Sequence, residues 1–160
     1  MKRDCPGFTL IELLVVTGLM AILFSVFYAS YTSFNRRQIL EQAALDLKSN
    51  LRLAQNKALS GEKPTGTGVV CNVLDGYQVS FSSREYKIKP KCDGDVLENP
   101  SSTSTFPLPS TLMFNPVPPV ILFRVLGLGV DLGDTTEITI DISGYGLLKT
   151  IKVNNVGEIK

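Results

Sequence analysis

Histidine is absent from these 160 residues. Its absence removes the side chain that most often serves as general base and metal ligand near neutral pH, and excludes any Ser-His-Asp or Cys-His machinery. Net charge is also nearly absent, with 16 basic residues against 15 acidic ones. So balanced a chain has no global field to draw a nucleic acid or an acidic partner. Metal-ligand spacing and a phosphate-binding loop are missing too: Gly127-Leu128-Gly129 is too short and follows a strand with no helix after it. No metal, no cofactor and no catalytic residue are expected, and a membrane-tethered enzyme has little support.

Charge is scarce at the front of the chain. Residues 8–31 carry a single charged side chain, Glu12, and no proline occurs between Phe8 and Glu62. About 20 apolar residues in a helix cross a bilayer core of roughly 30 Å, so this run predicts a membrane span. Lys2-Arg3 precede it and Arg36-Arg37 follow it, so flanking basic residues do not set its orientation. A secretory signal peptide fits poorly, because the run is about twice the usual apolar region and small residues at Ala29-Ser30 come only at its end. A lipoprotein fits no better, since Cys5 precedes the apolar run.

Beyond the span, Leu40, Ala43, Ala44, Leu47, Leu51, Ala54 and Ala58 recur in steps of three and four, the mark of one apolar helix face. One helix is predicted to about Leu59, ended by Ser60-Gly61 and kept from resuming by Pro64. From residue 69 the period changes to two. Strands are expected on both sides of Asp75-Gly76, a pair suited to a two-residue hairpin turn, and then at 84–89. Residues 93–109 are rich in Ser, Thr, Pro, Gly and Asp and are predicted as a long exposed loop. Later strands are expected at 111–114, 120–126, 137–143 and 148–154, with a turn at Gly144-Tyr145-Gly146 and a short end at Glu158-Ile159. The expected fold is α+β, a long N-terminal helix, half membrane span and half amphipathic, packed on an antiparallel sheet.

Met1-Lys-Arg-Asp-Cys-Pro-Gly7 followed by Phe8-Thr-Leu-Ile-Glu12-Leu-Leu-Val-Val resembles the N-terminal cleavage and methylation motif of type IV pilins and type II secretion pseudopilins. The resemblance implies that a prepilin peptidase in the membrane cuts between Gly7 and Phe8 and N-methylates Phe8. It implies a leader at 1–7, a membrane and filament-core helix at 8–33, and a head with the rest of the helix at 34–160. It also implies an inner-membrane protein whose head lies outside the cytoplasm. Its partners are then lipid before assembly, an inner-membrane assembly platform, and other pilins or pseudopilins in a filament. More loosely, the head resembles the H-type minor pseudopilins and the T-type fimbrial minor pilins. Pro64 is the first proline after the cut, whereas many major pilins have one in the membrane half of the helix, and this favours a minor subunit or pseudopilin. An acid at Glu12 departs from the filament-tip pseudopilin, which typically lacks one.

Glu12 is the assembly candidate. A carboxylate within a span costs about 2.5–3.5 kcal/mol on insertion scales, so its presence asks for a function. A neighbour's Phe8 amine would neutralise it; the plainer alternative is a Glu that reaches back to the membrane interface. Gly7 suits a cut that needs an unhindered backbone. Gly18 either lets helices approach or is simply tolerated. Removing residues 1–7 takes Cys5 away, and Cys71 with Cys92 in an exported head reads as a disulfide, against the alternative of two buried thiols. Lys87, Lys89 and Lys91, with Arg84 nearby, would project from one strand face. That row suggests a second function, capture of DNA by its phosphates. The competing reading is an edge strand guarded by lysine and marked by Pro90.

Overall fold

The computed structural model describes residues 9–65, 70–97, 103–133 and 135–160, with backbone alone at 26, 27, 29 and 30. It is an α+β fold in which a long N-terminal helix, α1 (Leu10–Ser60), precedes antiparallel sheets. The chain divides into two units, Met1–Gln38 and Ile39–Lys160. Each is taken by itself below.

In the first unit, α1 from Leu10 to Phe24 has apolar side chains on every side with Glu12 as its one charge, and these side chains are exposed. A helix apolar all round is one that something else covers. Among the described residues no helix is long and apolar enough to cross a membrane.

In the second unit the rest of α1 buries one face. Leu40, Ala43, Ala44, Leu47, Leu51, Ala54 and Ala58 all lie in the core, as their spacing predicts. The helix closes on a Schellman motif, with the Gly61 N–H donating to the Ala58 carbonyl and the Glu62 N–H to the Lys57 carbonyl. Gly61 has a φ of 64°, which glycine takes without strain.

Among the described residues the strands are β1 (Leu74–Phe81), β2 (Glu85–Cys92), β3 (Asp95–Val96), β4 (Ser104–Pro107), β5 (Met113–Phe114), β6 (Ile121–Arg124), β7 (Val130–Asp131), β8 (Glu137–Gly144) and β9 (Leu147–Asn154). They make two sheets where the sequence led us to expect one. The first has the order β3-β2-β1-β6-β7 with β4 also paired to β2, and the second the order β5-β8-β9. Inward residues of the first sheet (Tyr77, Val79, Tyr86, Ile88, Ile121, Phe123) and of the second (Phe114, Ile138, Ile140, Ile142, Ile151, Val153) share one core with the helix face. Each such aliphatic side chain contributes about 1.5–3 kcal/mol when fully buried.

Three expectations are corrected. Asp75-Gly76 is not a hairpin turn but part of β1, at an irregularity in its register with β2. Gly76 is needed because β6 passes so close that a Cβ there would lie 2.0 Å from the Phe123 carbonyl oxygen. The hairpin that does form lies at residues 82–84, where the Ser82 N–H donates to the Glu85 carbonyl. Second, the stretch at 93–109 contains β3 and β4, both paired to β2, so it is not one long loop. Third, β2 is no edge strand, since β1 lies on one side and β3 and β4 on the other. Pro90 fits there because its carbonyl, and so its missing N–H, faces the side where β3 ends: the Leu97 N–H donates to that carbonyl.

Candidate processing and assembly site

Thr9 precedes the first helical residue and caps the helix. Its hydroxyl oxygen accepts the Glu12 backbone N–H at 3.3 Å, and its carbonyl accepts the Leu13 N–H. Thr9-x-x-Glu12 is the spacing of a capping box, a signal that sequence reasoning passed over in favour of the charge on Glu12. The cap satisfies one of the first four N–H groups, which have no partner inside a helix. It also fixes Glu12 in the first turn, where the helix dipole favours a carboxylate. Gly7 and Phe8, the expected cleavage and methylation positions, lie outside the described residues.

Around Glu12 the surface is apolar and open. Leu10 is 82% exposed and Ile11 66%, and Leu13, Leu14, Val15 and Val16 continue the surface over the next turn. A Cβ built at Gly18 meets nothing within 4 Å, so this glycine leaves a shallow place on the helix that a neighbouring backbone could approach. Thr17 returns its hydroxyl to the Leu13 and Leu14 carbonyls and adds no polarity to that surface.

In the head, Cys71 and Cys92 are joined by a disulfide with a Cα–Cα distance of 5.4 Å. The bridge holds the segment after α1 against the end of β2. Asp93 reinforces it, its carboxylate accepting the Asn72 and Val73 N–H groups at 3.1 and 3.0 Å. Tyr77 donates its hydroxyl to the Glu62 carbonyl at 2.7 Å and so fixes the start of the same segment. Burial, with the Glu62 charge second, raises the Tyr77 pKa above the ordinary phenol value.

Lys87, Lys89 and Lys91 alternate with the buried Tyr86, Ile88 and Pro90, so the three do share the outer face of β2. Carboxylates are interleaved with them. Lys87 pairs with Glu85 at 3.0 Å, and Lys91 is near enough to Asp131 to help lower its pKa. The larger causes at Asp131 are hydrogen bonds from the Arg124 guanidinium, at 2.6 Å, and the Gly133 N–H. Arg84 stands in the hairpin turn ahead of the row, with its carbonyl accepting the Leu108 N–H.

No curated protein and no solved structure matches this chain. Residues 2–28 match the family model of the prokaryotic N-terminal methylation motif, and that match supports a type IV pilin-like structural subunit.

Proposed function

We propose that this chain is a subunit of a type IV pilus or of a type II secretion pseudopilus, a minor pilin or pseudopilin, held in the cytoplasmic membrane by its first helix until assembly. The observation that carries the reading is the methylation motif at residues 2–28, which ends inside the apolar, exposed part of α1. Prepilin peptidase cuts after Gly7 and methylates the new amine of Phe8. Residues 8–33 then serve twice, first as a membrane span with the head outside the cytoplasm and afterwards as the filament core.

Both steps follow from one physical demand, that an all-apolar helix be covered. Lipid covers it first and neighbouring helices replace the lipid. Glu12 distinguishes the two environments. Alone in lipid its charge is costly, whereas beside a neighbour's Phe8 amine it is paired. A subunit is therefore more at home in the stack than alone, which gives assembly its direction.

Capture of DNA through Arg84, Lys87, Lys89 and Lys91 is the alternative function. The common outer face of the three lysines favours it, and the interleaved Glu85 and Asp131 weaken the field it needs.

Shearing filaments from cells that make the full chain, with and without prepilin peptidase, tests the main reading. The chain should appear in the sheared fraction only when the peptidase is present. Equal amounts in both preparations would refute it.

A further inference from the structure

On the head side of α1 a cleft of about 220 Å³ opens between the helix and the β2–β4 pair, lined by Asp46, Ser49, Asn50, Tyr86, Phe106 and Pro107. Its wall is aromatic, since Tyr86 and Phe106 stack with ring centroids 5.2 Å apart. The Tyr86 ring is held in place by Asn50, whose side-chain amide donates to the phenol oxygen at 2.7 Å. At the rim sits the Asp46 carboxylate, which takes part in no ion pair among the described residues and accepts only the Gln42 side-chain amide, at 3.0 Å. Burial raises the Tyr86 pKa and the Asp46 charge adds to the effect, so the carboxylate is felt inside the cleft. An unpaired carboxylate beside stacked rings is a receptor for a cation, above all for a flat guanidinium that can stack and accept a fork of hydrogen bonds at once.

The same helix supplies such a group. Lys48 and Arg52 also take part in no ion pair among the described residues, and they line a second groove with Leu45, Leu53 and Ser49, the serine being common to both. Six residues at 100° each carry Arg52 about 120° round the helix from Asp46, so cation and cleft lie on opposite flanks of the exposed face. Leu45 and Leu53, 52% and 44% exposed, stand between those flanks. We propose that the Asp46–Tyr86–Phe106 cleft receives the guanidinium of Arg52 from a second copy of this chain. Joined head to tail, one copy's cationic flank meets the next copy's anionic cleft and leaves a flank and a cleft free for further copies. A two-fold contact would pair the same two residues reciprocally and stop at a dimer, so it is the filament reading that selects the head-to-tail form. A lipid or nucleic-acid surface would attract Arg52 and repel Asp46, whereas a second copy satisfies both. This inference rests on the filament-subunit reading and applies where copies of this chain are neighbours in the stack, not where one copy is inserted singly among other subunits.

Two full-length chains with different tags, one Asp46→Cys and the other Arg52→Cys, should be made together in filament-forming cells and mildly oxidised. Positions 46 and 52 lie roughly 10 Å apart along one helix, beyond disulfide reach, so a bridge between them joins two copies. A mixed-tag dimer should dominate in the sheared filaments. Asp46→Arg and Arg52→Asp should each lower incorporation about tenfold, and the doubly reversed chain should recover to within about twofold of the parent, because like charges across a contact are disfavoured and reversal restores the pair. Filaments that contain both tagged chains but no mixed dimer would overturn the cleft assignment and leave the subunit reading intact. Cross-linking of Asp46→Cys to a different protein alone would overturn the second copy as occupant. Absence of the chain from filaments altogether would sink both.

Discussion

The side-chain amide of Gln55 donates to the Gly157 carbonyl at 2.9 Å, joining α1 to a turn 102 residues further along the chain. Gly157 has a φ of 92°, and a Cβ there would meet the Gln55 amide nitrogen at 2.5 Å. Gly157→Ala therefore combines backbone strain with a collision where the C-terminal turn is tied to the helix. Chemical denaturation of the Gly157→Ala head should show a loss of about 1–3 kcal/mol. Gln55→Ala loses the bond without the strain and should cost about 1 kcal/mol.

Leu47 and Leu51 are fully buried where the helix meets the sheets. Truncation of either to alanine should destabilise a head made from residue 36 onward by about 2–5 kcal/mol. Changes near zero would mean that the helix stands away from the sheets. Leu45→Ala, on the exposed face, is the control and should be nearly neutral.

Thiol counting separates precursor from mature chain. Cys71 and Cys92 are bridged and Cys5 lies in the expected leader, so without reductant the precursor should label once and the mature chain not at all. Reduction should lower stability by roughly 3 kcal/mol, the loop-closure value for cysteines 21 apart. Two reactive thiols in the mature head would contradict the bridge.

The helix face was legible because seven residues repeat at steps that only a helix brings together, and nothing distant contradicts them. The β8–β9 hairpin was legible for a similar reason: Thr136 to Ser143 alternates polar and apolar, and Tyr145 and Gly146 take the two positive φ values of its turn. Asp75-Gly76 misled because a glycine kept for a tight turn and one kept for a close crossing leave the same letters. Only the path of β6 past Gly76 distinguishes them, and that is a contact across some 45 residues of chain. Strands β3 and β7 are two residues long, too short to show a period at all. The lysine row of β2 was read correctly as one face and wrongly as an edge, because β3 and β4, which cover its far side, are only two and four residues long and lie in a stretch whose composition reads as loop. At the candidate site, Glu12 stood out as a lone charge, while the Thr9 cap beside it needed the helix start to be seen.

On the proposed function Glu12 separates insertion from assembly, because the two steps would treat its charge oppositely. Glu12→Val should insert at least as well as the parent and still be cut after Gly7. In the stack it leaves a neighbour's amine without a partner, a type of loss that costs about 3–5 kcal/mol when buried. Cleaved subunits should then accumulate in the membrane while few reach filaments, and Glu12→Asp should fall between the two. Parental incorporation of cleaved Glu12→Val would remove the charge-pair mechanism and leave the processing site standing.

The central claim, that this is a processed filament subunit, is met most directly by the intact mass of the chain purified from cells containing prepilin peptidase. The account predicts a mature chain beginning at Phe8, lighter by residues 1–7 and heavier by one methyl group on the new amine. Gly7→Val should slow that cut far more than Gly7→Ala, since crowding at the scissile bond is the physical obstacle. A mature chain that begins after Ala29, or one that keeps residues 1–7 in the presence of the peptidase, would contradict it.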